Sequence, residues 1–309
     1  MIKMPSAADR LLSRDQYAQW LHKSEEPFRG IIKVWHIAGF KPYSGSIANR
    51  IKAAAAKVEK KHFGVYFDVE AITPQEAKKR MALGERPDLF SFPFGMLPGN
   101  ELSTLRGEYE VDTSSGMDMS VLKAVPYAVS CKTVLYYPSE TNASEVLEKY
   151  GVADKNTAGN AGQDISYIGG SAQNDFSGNT ENSFEAFRKG KADFCTADAR
   201  ETGNLTRALA AGKAEYFEIL PVFTRTEFIQ YFGIAAGCEE MKKQYIEELI
   251  HYLLNEKTQS SLCTLGLLPL NEKADIHFEQ PFLTQAYDLL ADFIRTLPNT
   301  FDSCRKSGI

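Results

Sequence analysis

His36 closes a short β-branched run, Ile31-Ile32-Lys33-Val34-Trp35-His36, and so stands where a strand hands over to a loop. An imidazole there can donate, accept or carry a proton near neutral pH. His22, His62, His251 and His277 are dispersed, and the five cysteines (Cys131, Cys195, Cys238, Cys263, Cys304) never fall within metal-ligand spacing of one another. Nothing in the sequence pairs Cys131 with a base, so it reads as a buried thiol rather than a nucleophile. Gly169-Gly170-Ser171-Ala172-Gln173 lacks the last glycine of a nucleophile elbow, and there is no Walker A loop or H-E-x-x-H helix. The residues suit binding better than catalysis, and they call for no cofactor.

Aromatic side chains stack on the C–H faces of sugars while a few polar groups fix orientation. Trp35, Phe40, Tyr43, Phe92, Phe94 and Tyr127 all fall at strand ends or in the adjoining loops. Ser91, Ser130 and Asn174 are polar candidates beside them. Gly169, Gly170 and Ser171, if they open a helix, would offer backbone N–H groups to an anion. Asp198, Arg200 and Glu201 follow a strand and open a helix; they read either as complements to its dipole or as a polar ligand-binding cluster.

The elements that must position these residues alternate. After the strand at 31–36 comes a loop with Gly39, Pro42 and Gly45, then Ile47, Ile51, Ala54, Ala55 and Val58 at helical spacing behind a Ser46 N-cap. Val65–Val69 alternates as a strand does. Thr73-Pro74-Gln75-Glu76 is a capping-box start for a helix ending near Gly84, and 87–92 reads as a third strand. This order predicts a parallel sheet whose ligand side is the carboxyl ends of its strands. The stretch from Ala124 to Pro138 reads as one extended segment leaving this unit for another, and 228–235 as a second crossing. Between them a further set of β/α units is expected, with strands at 165–168, 192–196 and 216–220. A helix from Glu239 carries Met241, Tyr245, Leu249, Tyr252 and Leu253 on one side, and a final helix runs over 282–297.

With 309 residues and a net charge of -5, the chain is long enough for two domains and too acidic overall for a nucleic-acid groove. Lys57, Lys60 and Lys61 form a local basic patch that reads as a solvated helix face. No apolar run approaches the ~18 residues that span a bilayer. The first residues lack the apolar core of a secretory signal, which leaves a cytosolic protein or one whose signal or anchor is not in this chain.

Four stretches resemble one family in order: Val34-Trp35-His36 before a ligand-side loop, Pro87-Asp88-Leu89-Phe90-Ser91, Pro126-Tyr127 followed by Leu135-Tyr136-Tyr137-Pro138, and Tyr245, Gln259, Gly266 and Leu268-Pro269 late in the chain. They resemble the extracellular solute-binding proteins of family 1 that serve ABC importers. The resemblance implies an α/β, two-lobed periplasmic-binding-protein-like II fold, with a ligand cleft between lobes joined by crossing hinge strands. It divides the chain into a leader helix or stalk at 1–29, a first lobe at 30–126 and 229–270, and a second at 127–228 and 271–309, the last helix packing on either. It also implies a monomer that is not an enzyme, held extracellular or periplasmic by a tether, binding a small solute (a carbohydrate first) for an ABC transporter permease. The ligand-binding residues expected are Trp35, His36, Phe40, Ser91, Phe92, Phe94, Tyr127, Ser171, Asn174, Asp198 and Arg200. A ligand-sensing module without import, and an enzyme on the same fold, are the alternatives.

Overall fold

The computed structural model describes residues 28–93, 96–106, 109, 123–149, 183–222 and 229–294. The strand expected at 165–168 and nearly all of the leader at 1–29 lie outside them.

The first strands and helices alternate as β1 (Gly30–Ile37), α1 (Ile47–Lys61), β2 (Val65–Ile72), α2 (Pro74–Ala82) and β3 (Leu89–Pro93). β1 lies between β2 and β3 and runs parallel to both, as strands joined by helical crossovers do. Local chemistry sets both helix starts. Ser46 accepts from the Asn49 N–H at α1, and Thr73 accepts from the Glu76 N–H at α2 with Pro74 behind it.

Two later strands, β4 (Val125–Val129) and β8 (Ile229–Ile234), complete a large sheet in the order β2-β1-β3-β8-β4. β8 is antiparallel to both of its neighbours. A smaller sheet places β5 (Lys132–Tyr136) between β6 (Phe194–Ala197) and β7 (Glu218–Val222), both antiparallel to it. The second unit therefore does not repeat the parallel pattern of the first among its described strands. Around these sheets lie α3 (Ala143–Lys149), α4 (Ser183–Arg188), α5 (Ala199–Ala210), α6 (Glu240–Leu254), α7 (Glu256–Leu262) and α8 (Pro281–Ile294).

The segment from Ala124 to Pro138 proves to be two strands in different sheets. β4 ends at Val129, β5 begins at Lys132, and Ser130 and Cys131 form the changeover. Pro126 still pairs with Tyr231 inside the large sheet, so the change falls a few residues beyond the Pro126-Tyr127 step. The return is made between Val222, last in the small sheet, and Ile229, first in the large one. Leu268 comes back to the changeover as well, exchanging backbone hydrogen bonds with Val129.

Successive side chains in a strand point to opposite faces, and this divides the large sheet's core in two. Ile32, Val34, Leu89, Phe232 and Ile234 pack with Ile51 and Val58 of α1 and Leu249 and Leu253 of α6. Trp35, Ile37, Phe90, Phe92 and Tyr231 pack with Ala77 of α2 and with Phe282 and Leu283 of α8. α8 also contacts β7, so it touches both sheets. On α6 the expected apolar side holds for Tyr245, Leu249 and Leu253, but Met241 is exposed. A four-residue step advances about 40° around a helix, and stepping back from Leu249 has left the buried stripe by Met241.

Candidate functional site

A row of polar side chains crosses the carboxyl end of the large sheet on its α1/α6 face. His36 and Ser91 are register partners on β1 and β3, and His36 Nδ1 lies 2.8 Å from Ser91 Oγ. The Tyr127 hydroxyl of β4 lies 2.9 Å from the same oxygen. Gln230 of β8 donates from Nε2 to Ser91 Oγ at 3.1 Å and to the Ile37 carbonyl at 2.8 Å, while the Gly39 N–H donates to its Oε1 at 3.4 Å. All four side chains are buried. A hydroxyl has one proton and two lone pairs, so three partners saturate Ser91 and leave nothing for attack on a substrate. The group holds four strands in register and fixes the start of the loop after β1. Burial lowers the His36 pKa to about 4, so its ring is neutral. Burial likewise pushes the Tyr127 phenol well above its usual range.

The aromatic candidates are packed. Trp35 lies on the opposite sheet face from His36, edge-on to Phe90 with centroids 6.1 Å apart. The Arg80 guanidinium sits 5.6 Å from its ring centroid, held there by Glu70 and Glu76. Phe92 stacks on Tyr231 at 6.0 Å and Tyr127 on Phe232 at 3.8 Å. Phe40 belongs to the α1/α6 core. The structure thus brings His36, Ser91 and Tyr127 together, and separates Trp35 and Phe92 from them by the thickness of a sheet. Phe94, Ser171 and Asn174, with Gly169 and Gly170, lie outside the described residues.

Between the sheets, polar groups collect at the changeover. Ser130 is buried, and its Oγ has no hydrogen-bond partner. A buried polar atom is normally satisfied by protein or water, so this one keeps an unused bonding capacity. Beside it Cys131 is buried, its thiol pushed up to about 12 by desolvation. At the start of β5 Thr133 Oγ1 meets Thr202 Oγ1 of α5 at 2.5 Å. Asp198 caps α5, its Oδ1 accepting from the Glu201 N–H at 2.7 Å, and Glu201 returns the bond to the Asp198 N–H at 3.0 Å. This capping box takes up much of the charge expected of a ligand-binding cluster. Burial raises the Glu201 pKa, and the Asp198 N–H bond, Lys41 from the loop after β1 and Lys132 at the start of β5 oppose that shift. Arg200 donates from Nη2 to the Gly45 carbonyl at 2.6 Å, which ties α5 to that same loop.

Gln230 did not stand out in the sequence. Its signal there was slight: one amide inside an otherwise apolar strand, Ile229-Gln230-Tyr231-Phe232. Among the described residues no group of three or more His, Cys, Asp or Glu could hold a metal ion. No helix there is long and apolar enough to cross a membrane.

No protein-family model matches the sequence. No curated protein matches it either. Solved structures do match over most of its length. The maltodextrin binding protein MalE1 from L. casei BL23, without ligand, is 13% identical with a TM-score of 0.52, covering 89% of this chain and 98% of its own. The Trichodesmium protein IdiA (FutA), in complex with iron and citrate, is 12% identical with a TM-score of 0.52, covering 86% and 98%. Iron-bound HitA from Pseudomonas aeruginosa is 10% identical with a TM-score of 0.50, covering 85% and 99%. At such identities the likeness is one of fold: this chain has the two-lobed, mixed α/β architecture of periplasmic-binding-protein-like structures.

Proposed function

We propose that the chain captures a small solute between its two lobes and delivers it to the permease of an ABC importer, acting as a monomer outside the cytoplasm and tethered to the membrane. The first lobe is built on the large sheet and the second on the small one, with the hinge at Ser130 and Cys131 and at the return between Val222 and Ile229. The observation that carries this reading is Ser130 Oγ, a buried hydroxyl left without a partner where the chain passes from one sheet to the other. Closure about such a joint is stabilised by what a ligand contributes to both sides at once.

A neutral polyhydroxylated solute, a carbohydrate first, suits the joint best. Ser130 supplies an unpartnered hydroxyl there, the hydroxyls of Thr133 and Thr202 bond each other and the Ala197 and Asp198 carbonyls, and the two carboxylates nearby are already engaged in capping α5. The maltodextrin-binding relative in fold points the same way.

A thermal-unfolding screen of the refolded chain tests the reading, using maltodextrins, monosaccharides, amino acids, polyamines and ferric citrate. A solute at 100 times its Kd adds about 2.7 kcal/mol, read as a rise of several degrees. A rise with sugars that is reduced in Ser130→Ala supports the proposal. Ser130→Ala without solute should melt no lower than the wild type, because it removes a hydroxyl that has no partner. A rise with charged solutes alone would overturn the sugar assignment, and no rise with any would overturn solute capture.

A further inference from the structure

The two lobes touch at a second place, away from the hinge. Tyr43 stands in the loop between β1 and α1, and that loop is clamped to its own lobe. Ser44 donates from N to the Leu265 carbonyl at 3.2 Å and from Oγ to the Thr264 carbonyl at 2.7 Å. Arg50 reaches Thr264 Oγ1 at 2.7 Å. Behind Tyr43 lies Gly266, so close that a Cβ there would come within 2.4 Å of the Tyr43 Cβ. Phe282 flanks the ring at 6.1 Å. Tyr43 is therefore held at its base and projects toward the other lobe.

Its ring meets α5. Arg200, Gly203 and Arg207 fall at i, i+3 and i+7, one face of that helix. Arg200 bonds the Gly45 carbonyl, and the Arg207 guanidinium lies 5.6 Å from the Tyr43 ring centroid. Between them a Cβ on Gly203 would come 3.0 Å from Cδ2, Cε2 and the backbone oxygen of Tyr43. Glycine inside a helix weakens it. Here its lack of a side chain makes the seat for the ring.

We propose that Tyr43 is a latch: docked on the Arg200–Gly203–Arg207 face, it keeps the lobes closed before any solute has bound. A hinge protein of this kind has a preformed closed state, so a solute shifts an existing balance instead of creating the closed form. The inference concerns the chain without solute. Its failure would leave solute capture standing, and an empty ligand screen would leave the latch standing.

Solution scattering from the full chain, refolded from denaturant to strip any bound solute, tests it on the wild type, Tyr43→Ala, Tyr43→Phe and Gly203→Leu. Leucine is a good helix former, so Gly203→Leu blocks the seat from the α5 side without weakening the helix. The wild type and Tyr43→Phe should match the closed form. Tyr43→Ala and Gly203→Leu should show a larger radius of gyration with unchanged circular dichroism. If Tyr43→Ala loses dichroism, Gly203→Leu alone carries the comparison. A wild type already as extended as Gly203→Leu would overturn the latch, and so would a Gly203→Leu protein as compact as the wild type.

Discussion

His36 makes its pH dependence predictable because it is neutral, buried and bonded to Ser91 rather than to a carboxylate. The sign follows from comparing the two states. Unfolded, the ring titrates near 6.5; folded, it titrates near 4. Between those values the unfolded chain binds the proton and the folded one does not, so stability falls as pH drops through that window. At about 1.4 kcal/mol per pKa unit the loss approaches about 3 kcal/mol by pH 4. Urea unfolding from pH 7.5 to 4.5 should show this loss in the wild type and a shallower one in His36→Gln; equal slopes would mean that His36 is not the group responsible. The sequence placed His36 correctly at a strand end, whereas Ser91 and Tyr127 sit at the middle of β3 and β4 rather than at their ends. It could not show that Trp35 and His36, adjacent in a strand, face different cores. For that reason Trp35→Ala is expected to lower stability by about 3–5 kcal/mol, as truncation of a packed aromatic does, rather than to act on a ligand alone. Equilibrium denaturation measures that loss, and a change under 1 kcal/mol would put Trp35 at a solvent-facing rim.

At the scale of elements, caps and turn glycines were the most legible features. Ser46 and Thr73-Pro74 each start a helix where the sequence placed them, because such signals act within a few residues and need no tertiary partner. The antiparallel small sheet was not legible, since strand direction depends on where distant segments meet. Gly266 shows both sides of this. Its φ of +68° is a local requirement, but its contact with Tyr43 is long-range. Gly84 has a similar φ of +84° and nothing within 4 Å of an added Cβ. Gly84→Ala should therefore cost only the left-handed strain, about 1–2 kcal/mol, whereas Gly266→Ala should cost more by the displacement of Tyr43. Denaturant midpoints of the two variants give the comparison, and equal losses would show that the loop yields freely at Gly266.

At the scale of the molecule, two sheets share one chain that passes between them at Ser130 and Cys131, returns at Ile229, and later forms a helix, Pro281–Ile294, touching both. The order of strands and crossings was readable because each crossing is a long apolar run interrupted by Pro or Gly. The contents of the joint were not, because Thr133 and Thr202 are far apart in sequence, and Lys41 comes near Glu201 only in the folded chain. Solute capture between the lobes requires that the solute sit at that joint. Hydrogen exchange, with and without the solute that raises the melting temperature, tests this most directly. Amides of residues 38–45, 130–133 and 198–203 should all slow together on binding, because one molecule bridges the loop after β1, the changeover and the start of α5. Slowing confined to one of these segments, or found only elsewhere in the chain, would contradict a solute held between the lobes.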